Sequence, residues 1–297
     1  HGLIAILASS MKAGASVCAS NGFNAIKFLD IAKSEKITWY SGVPTMHQTI
    51  LLRAHKNLEI AKGLELRLIR SSSASLPPAV FNDLNDVFSC PVIEAYGMTE
   101  ATHQMTSNPL PPKQQKAGFV GLPAGPEVCI MNENGEVLKQ GDEGEVCIKG
   151  ENVTVGYDNN EEANKTSFTN GWFRTGDQGY FDKEGYLKIS GRLKEIINKG
   201  GEKISPLEVD NVLMDHPFID QAVCFGYDDK MLGENIASAI IIKSGETCSE
   251  NDVLQYAKEK LAKFKIPKKI FFVEEIPKGA TGKLQRNVLA KKFGLNN

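Results

Sequence analysis

Three short segments of the chain carry the side chains that nucleotide binding and carboxylate activation would need. Tyr96–Glu100 supplies an aromatic ring, a hydroxyl and a carboxylate, Thr175–Asp177 supplies a second carboxylate, and Thr281–Lys283 supplies a cation. Four specified residues at roughly 5% usage each recur by chance about once in 10⁵ positions. Three such segments in this order therefore indicate one site for a nucleotide and an activated carboxylate.

The first segment follows a predicted strand, Pro91–Ala95. Loops that leave the C-terminal ends of parallel strands are where open α/β sheets bind ligands. Gly97 would let the backbone approach a ligand closely, Thr99 offers a hydroxyl to a phosphate oxygen, and Glu100 offers the oxygen ligand that Mg²⁺ prefers. Tyr96 is predicted to stack on a base. The alternative is an ordinary strand-to-helix turn with Thr99 as its N-cap.

The second segment is predicted to bind a ribose. The Asp177 carboxylate can accept hydrogen bonds from both ribose hydroxyls, and Arg192 in Gly191–Glu195 could reach a ribose or phosphate with its fork of donors. The alternative for Asp177 is an aspartate in a turn after a glycine, and the alternative for Gly191–Glu195 is a solvated charged linker. Lys283 lacks the spacing of a phosphate-binding loop and the Ser or Thr that follows it there, so we expect a single lysine carried to a developing negative charge.

Small polar side chains mark a possible acid pocket. Ser72 and Ser73 lie in a serine-rich stretch after a predicted strand, and His103 follows Glu100 by three residues. His1 is similar in kind. The alternatives are a serine-rich loop and structural histidines.

The fold class predicted is α/β followed by α+β. Residues 1–118 alternate helix and strand patterns, which favours a mostly parallel sheet covered by helices, and 119–192 form a small β-rich subdomain with Gly-rich turns, either a barrel or a distorted sheet. Residues 193–297 form an α+β domain. The predicted elements are helices at Phe23–Glu35, Pro44–His55, Pro78–Phe88, Pro206–Asp215 (N-cap Ser205), Ser249–Phe264 (capping box Ser249 and Asp252) and Arg286–Phe293, and strands at Ile37–Tyr40, Leu66–Ile69, Pro91–Ala95, Glu127–Met131, Glu145–Lys149, Tyr186–Ile189, Ile219–Phe225, Ile236–Ile242 and Ile270–Val273.

Composition is that of an ordinary globular protein, with 297 residues, 41% hydrophobic and 24% charged. The formal net charge of -2 predicts no nucleic-acid or membrane partner, and no apolar run reaches the length of a membrane span. The six cysteines form no close CxxC pair and are expected to be free thiols. The C-terminus is not a Ser-Lys-Leu peroxisomal address, so we expect a cytoplasmic location, with the peroxisome as the alternative.

With these residues assembled, the chain resembles the adenylate-forming superfamily of acyl-CoA synthetases, luciferases and peptide-synthetase adenylation domains. The resemblance extends from His1 to about Phe293, and the runs 94–112, 150–154 and 192–208 most resemble the oxalate–CoA ligase group. It implies a two-step reaction that uses ATP, Mg²⁺ and coenzyme A. A carboxylate attacks the α-phosphate to give an acyl-adenylate and pyrophosphate, and the thiol of coenzyme A then displaces AMP.

The resemblance also implies a role for each site residue. Thr99 is similar to the threonine at the α-phosphate, Glu100 to the Mg²⁺ ligand, Tyr96 to the aromatic residue against adenine, and Lys283 to the lysine of the adenylation step. Asp177 is similar to the ribose-binding aspartate, with Arg192 beside it, and Ser72 and Ser73 match positions near the base and the acyl pocket. Lys194 matches the hinge between the two half-reactions. The run Lys199, Gly200 and Gly201 resembles the loop near the pantetheine tunnel.

One family element is missing. The Ser/Thr/Gly-rich loop that wraps the β- and γ-phosphates normally lies upstream of His1, which itself resembles a histidine of the acyl pocket. We therefore expect 1–192 to be the C-terminal part of the large domain and 193–297 a mobile lid domain, in a fragment with little activity of its own. The oligomeric state stays open.

The favoured function is a ligase that joins a small carboxylate, oxalate first, to coenzyme A. A protonated His103 is predicted to meet the second charge of oxalate. The alternatives are an aryl, 4-coumarate or medium-chain acyl CoA ligase and, in another class, an inactive nucleotide- or CoA-binding fragment.

Overall fold

The computed structural model describes residues 1–277 and 284–295. The chain divides into two compact units, the first made of residues 1–175 and 179–189 and the second of residues 176–178 and 190–297. The predicted mixture of helices and sheets is confirmed. Each unit is described below by itself.

A five-stranded sheet in the order β1-β2-β3-β4-β5 organises the first part of the first unit. β1, β2 and β3 are parallel, whereas β4 and β5 add antiparallel strands at one edge. The bounds are β1 Trp39–Gly42, β2 Leu68–Ser71, β3 Val92–Met98, β4 His103–Ser107 and β5 Leu122–Pro123. Register places Ser41 opposite Arg70 and Arg70 opposite Ile93, so β1 and β2 end level with Glu94 of β3, which continues to Met98.

Helices connect these parallel strands and cover the sheet. They are α1 Ser9–Lys12, α2 Phe28–Ser34, α3 Pro44–Ala54, α4 Leu58–Lys62 and α5 Pro78–Phe88, with a π-helix at Gly2–Ala8 and 3₁₀ turns at His55–Asn57 and Thr99–Ala101. α3 and α5 begin with proline in the first turn, where its missing N–H costs nothing. α5 buries Phe81, Leu84 and Val87 at helical spacing in the core beneath β2 and β3.

The second part of the first unit is an open sheet, not a barrel. Its order is β10-β9-β7-β6, and β8 pairs with β9. The elements are β6 Glu127–Met131, β7 Gly144–Lys149, α6 Glu161–Ser167, β8 Phe168–Thr169, β9 Trp172–Phe181 and β10 Leu187–Arg192. Along β9, residues alternate between buried and half-buried up to Gly179, as expected of a strand with one face on a core.

The second unit contains a third sheet, in the order β12-β11-β14-β13, with β15 pairing β14 in parallel. Its elements are β11 Ile197–Lys199, β12 Glu202–Ile204, α7 Pro206–Met214, β13 Ile219–Asp229, β14 Gly233–Ile242, α8 Glu250–Lys260, β15 Lys269–Phe272 and α9 Leu289–Lys292, with 3₁₀ turns at Leu193–Glu195, Lys263–Lys265 and Arg286–Val288. One face packs on α7 and α8, and the other packs on α9. Both faces are therefore buried, which explains the apolar run at Ile236–Ile242, where Ser238 is the one polar residue.

Three helix predictions needed correction. α2 begins at Phe28, not Phe23, because the Asn24 side chain accepts the backbone N–H groups of Ile26 and Lys27 and holds a turn there. The capping box of α8 is confirmed, but that helix ends at Lys260, where the next residue turns extended. Ser205 precedes α7 without capping it, because its hydroxyl donates to the Ser190 carbonyl instead.

Within residues 1–277 and 284–295, no helix combines the length and apolar character needed to cross a bilayer.

A buried ion pair holds the second unit together. Arg286 binds Asp210 of α7 through Nη2 at 2.7 Å and Glu195 through Nε at 3.1 Å, and it donates to the carbonyl of Cys224 in β13. Asp210 is only 4% exposed. Removing one member of a buried pair leaves the other charge without compensation, which is far more destabilising than losing a surface pair.

We predict that Asp210→Asn destabilises the second unit by about 3 kcal/mol. Amide hydrogen exchange of peptides covering α7 and β13 measures this locally. Glu208→Gln is the matched control, because the Lys265–Glu208 pair is half-exposed and its loss should cost at most about 1 kcal/mol. Equal exchange rates in the two variants would contradict the role given to the buried pair.

Candidate active site

The site of the first unit lies where β1, β2 and β3 end. Ser41 and Arg70 lie opposite each other near the ends of β1 and β2, and the serine-rich loop follows β2. The predicted strand Pro91–Ala95 extends to Met98, so the Tyr96–Glu100 segment forms the end of β3 and the start of the turn after it. This is the edge at which parallel sheets bind ligands. Most of the residues predicted for the first unit therefore reach one place, as the strand pattern indicated.

Gly97 brings the Tyr96–Glu100 segment against His103. A Cβ at this position would lie 1.4 Å from the carbonyl oxygen of His103, so only glycine allows β3 and β4 to approach this closely. The strand-to-helix alternative is wrong, because residues Thr99–Ala101 form one 3₁₀ turn without a side-chain cap and the chain returns as β4. Thr99 is left exposed in that turn.

Glu100 is held by a residue that the sequence did not single out. The Tyr157 hydroxyl donates to Glu100 Oε1 at 2.9 Å, and the backbone N–H of Thr154 donates to the Glu100 carbonyl at 2.6 Å. Burial and the Glu100 carboxylate together raise the pKa of Tyr157, so it remains a donor. The second carboxylate oxygen makes no hydrogen bond within the described residues and is available to a cation.

The described residues contain no group of three His, Cys, Asp or Glu side chains that could hold a metal ion. A single carboxylate nevertheless fits Mg²⁺, which is commonly bound by one or two carboxylates together with substrate phosphates and water. Glu100 would be that ligand.

A cluster of polar side chains surrounds His1. Its Nε2 lies 2.6 Å from Ser41 Oγ, its Nδ1 lies 3.0 Å from Ser73 Oγ, and its ring centroid lies 5.4 Å from that of His103. Ser72 is tied to the scaffold instead, because its buried hydroxyl donates to the Ala95 carbonyl at 2.8 Å. The structure therefore brings His1, Ser73 and His103 together and gives Ser72 a positioning contact.

Two members of this cluster have strained backbones. Ser73 has φ 76° and His103 has φ 84°, in the region that residues with a Cβ rarely adopt. Such conformations cost of order 1–3 kcal/mol each and concentrate at functional sites. Both residues face His1, which supports a functional interpretation of the cluster over a structural one.

Arg70 is a further residue of this site that sequence reasoning missed. It is 6% exposed, and its guanidinium lies 3.5 Å from Ser41 Oγ and 3.4 Å from Gln104 Oε1. The predicted strand stopped at Ile69, which left Arg70 to a loop, whereas β2 continues to Ser71. An arginine at the end of a buried parallel strand was the available signal, because such strands are otherwise almost entirely apolar.

The prediction of a protonated His103 is wrong. Burial, followed by the positive charge of Arg70, lowers the pKa of His103 to about 4. Its ring is therefore neutral near pH 7 and can offer hydrogen bonds but no charge. Burial likewise lowers the pKa of His47, behind β1, to about 4.

Four predicted residues of the second unit have defined surroundings. Arg192 Nε lies 3.0 Å from Asp177 Oδ1; the aspartate is buried and the arginine exposed. Lys194 lies in the 3₁₀ turn Leu193–Glu195. The Lys199 ammonium donates to the Phe264 carbonyl at 3.0 Å, and burial lowers its pKa.

The tight turn after Lys199 depends on Gly200 and Gly201, whose φ values are 62° and 94°. Lys283 lies outside the described residues.

Fold and site together define a class: an α/β nucleotide-binding enzyme domain followed by a smaller α+β unit. The family model of the AMP-binding enzymes matches residues 1–158, and the model of the AMP-binding enzyme C-terminal domain matches residues 208–283. The chain belongs to the AMP-binding enzyme family.

The relatives are similar over almost all of this chain. It is 51% identical to oxalate–CoA ligase of Arabidopsis thaliana and 48% identical to oxalate–CoA ligase of Saccharomyces cerevisiae, in each case over 99% of the chain. It covers 57% and 54% of those proteins, so it spans little more than half their length. The ATP-bound crystal structure of MatB from Rhodopseudomonas palustris aligns with a TM-score of 0.91 at 32% identity, covering 99% of this chain and 58% of that one.

Glu94 supports the site from behind. It precedes Ala95 in β3, is 2% exposed, and its Oε1 accepts the backbone N–H of Leu76 at 2.8 Å, which ties the serine-rich loop to the sheet. Burial raises the pKa of Glu94 to about 8, against the opposing effect of the Leu76 hydrogen bond. Near pH 7 the side chain is a neutral acid.

This raised pKa predicts a pH-dependent stability. The unfolded chain ionises at Glu94 near pH 4.5, but the folded protein keeps the proton until about pH 8. The stability that depends on Glu94 is therefore fully present below pH 4.5 and is lost as the pH rises to about 8. Glu94→Gln should remove this loss, so that the variant gains roughly 2–5 kcal/mol over the parent between pH 5 and pH 8.

Urea unfolding followed by the fluorescence of Trp39, in β1 of the same sheet, measures the difference. Other groups titrate equally in both proteins and cancel. Glu65→Gln, at an exposed position, should show no such pH-dependent gain. A constant difference between parent and Glu94→Gln across this range would mean that Glu94 is ionised in the folded protein.

Proposed function

We propose that the polypeptide carrying this chain is an ATP-dependent, AMP-forming acid–CoA ligase that favours oxalate. The observation that supports this most directly is the contact of Gly97 with the His103 carbonyl. It makes the nucleotide segment and the acid pocket one rigid piece of backbone. A carboxylate held near His1, Ser73 and His103 is thereby brought to the end of the strand from which Thr99 and Glu100 emerge.

Chemistry explains why such a site needs ATP. A carboxylate is a poor electrophile, and adenylation gives it a leaving group. Thr99 would bind the α-phosphate, and Tyr96 would contact the adenine. Glu100, oriented by Tyr157, would hold Mg²⁺, which when bound offsets negative charge on the phosphates. Fixed donors at that position stabilise the transition state because they need no rearrangement during the reaction.

Residues of the second unit are proposed for the ribose and for the second half-reaction. Asp177 and Arg192 form the pair proposed for the ribose, and Lys283 is proposed for the adenylation step. Lys194 would be the hinge of a mobile lid domain, 193–297, which could present different faces to adenylation and to thiol attack. The Lys199–Gly201 turn would then border the pantetheine of coenzyme A.

Oxalate is favoured over longer acids by the character of the pocket. The side chains around His1 are hydroxyls, an imidazole and a guanidinium, whereas a long acyl chain needs an apolar tunnel. The identity of about 50% to two oxalate–CoA ligases agrees with this preference. Aryl, 4-coumarate and medium-chain acids are the competing substrates within the same chemistry.

A pyrophosphate-release screen of the complete polypeptide tests the proposal. ATP, Mg²⁺ and coenzyme A are held constant while oxalate, malonate, acetate, 4-coumarate and octanoate are varied. We expect release with oxalate to exceed that with every other acid. Octanoate or 4-coumarate as the best substrate would remove oxalate, and no release with any acid would support an inactive nucleotide- or CoA-binding protein instead.

Lys283→Ala separates the two half-reactions. We expect adenylation to fall by roughly 10²–10³, the scale of losing one transition-state donor, while thioester formation from supplied oxalyl-adenylate changes little. Lys291→Ala, an exposed lysine of α9, should leave both steps intact. Equal losses in the two steps of Lys283→Ala would show that the lysine does not act in adenylation alone.

A further inference from the structure

We propose that Arg70 determines acid specificity in this site by binding the carboxylate that does not react. This inference rests on the ligase function proposed above and adds to it a residue and a requirement. The requirement is that the acid be a small dianion. Arg70 would hold one carboxylate by charge, while His1, the neutral His103 and the Ser73 hydroxyl surround the acid.

Arg70 has no carboxylate partner within the described residues. Its two side-chain contacts, to Ser41 Oγ at 3.5 Å and Gln104 Oε1 at 3.4 Å, are long and lead to neutral groups. Arginine has five N–H donors in a fork that fits a carboxylate. An arginine that is 6% exposed and whose guanidinium is this poorly satisfied is rare without a ligand.

The titratable side chains His103 and Glu94 do not neutralise the charge of Arg70. His103 is neutral at pH 7 because its pKa is about 4, and Glu94, the buried carboxyl of β3, is neutral because its pKa is about 8. Burial lowers the pKa of Arg70 itself to about 10, so it remains a cation. Among the groups that touch this pocket, Arg70 supplies an uncompensated positive charge, and an anion would remove the penalty of burying it.

Side-chain contacts connect Arg70 to the cluster around His1. Ser41 contacts both Arg70 and His1, His1 contacts Ser73, and Gln104, one residue after His103, contacts Arg70. Arg70 is therefore one hydroxyl away from the side chains proposed for the acid. Because the cation lies this close to the rest of the pocket, an acid with its second carboxylate one or two carbons away suits it better than a long diacid.

The chemistry assigns separate roles to the two ends of the acid. One oxygen of the reacting carboxylate forms a bond to the α-phosphorus of ATP as the bond from that phosphorus to pyrophosphate breaks. The other carboxylate stays ionised on Arg70 throughout. A neutral His103 is compatible with this arrangement because it can donate a hydrogen bond to the acid and leaves the negative charge of the second carboxylate to Arg70.

Oxalate and oxamate provide the test. Oxamate has nearly the same shape, but an amide replaces one carboxylate, so it lacks the second charge. In the complete polypeptide we expect the parent kcat/KM for adenylation, measured by pyrophosphate release, to favour oxalate by at least about tenfold. Arg70→Met should lower the value for oxalate about 100-fold, the scale of a lost charged hydrogen bond, and that for oxamate less than threefold.

Two further variants sharpen the result. Arg70→Lys keeps the charge but not the fork, so its oxalate preference should fall between those of the parent and Arg70→Met. Arg67→Met makes the same substitution three residues earlier at an exposed position and should match the parent. Because Arg70→Met removes an uncompensated buried charge, its Tm without ligand should not fall, and that separates lost binding from lost folding.

Each contrary result has a distinct meaning. A parent enzyme that uses oxamate as well as oxalate, or an Arg70→Met variant that loses both acids equally, overturns the role of Arg70 but leaves the ligase function standing. A raised KM for ATP with unchanged discrimination between the acids would assign Arg70 to the nucleotide and also overturn the proposal. A parent that releases no pyrophosphate with any acid rejects the ligase function itself.

Discussion

The desolvated charge of Arg70 is the constraint around which the site in the first unit is arranged. A guanidinium cannot lose its proton at physiological pH even when burial lowers its pKa to about 10, so its neighbours adapt instead. His103 stays unprotonated beside it. Glu94 in β3 keeps its proton for a separate reason, because burial outweighs the effect of its hydrogen bond from Leu76. The result is a pocket with one fixed positive charge and neutral donors, which is complementary to an anion.

Backbone geometry maintains this pocket. The serine-rich loop is tied to β3 twice, by Ser72 Oγ to the Ala95 carbonyl and by Leu76 N–H to Glu94. β4 is held against β3 at Gly97, where no side chain fits. These ties impose positive φ on Ser73 and His103, and the surrounding sheet supplies the stability that such conformations require. The strain is thus a consequence of placing both side chains against His1.

Sequence patterns predicted much of this arrangement because they report on local forces. The elements with strong boundaries, such as Pro78–Phe88 with proline at its start and Glu127–Met131 between turns, were predicted with their observed bounds. α2 was overextended because an Asn24 side chain competed with the helix. The Tyr96–Glu100 segment could be singled out because its residues are consecutive, and a consecutive run is visible without a structure.

Arg70 shows what a sequence leaves out. Its importance comes from burial without a partner, and both depend on residues about thirty positions away on either side, Ser41 and Gln104. The same holds for Tyr157, whose hydrogen bond to Glu100 spans 57 residues. Spacing alone led to His103 as the cation because it is near Glu100 in the chain. The sequence shows which side chains are able to carry a charge. Which of them is charged depends on desolvation, and desolvation is set by the residues that surround the side chain in the folded protein.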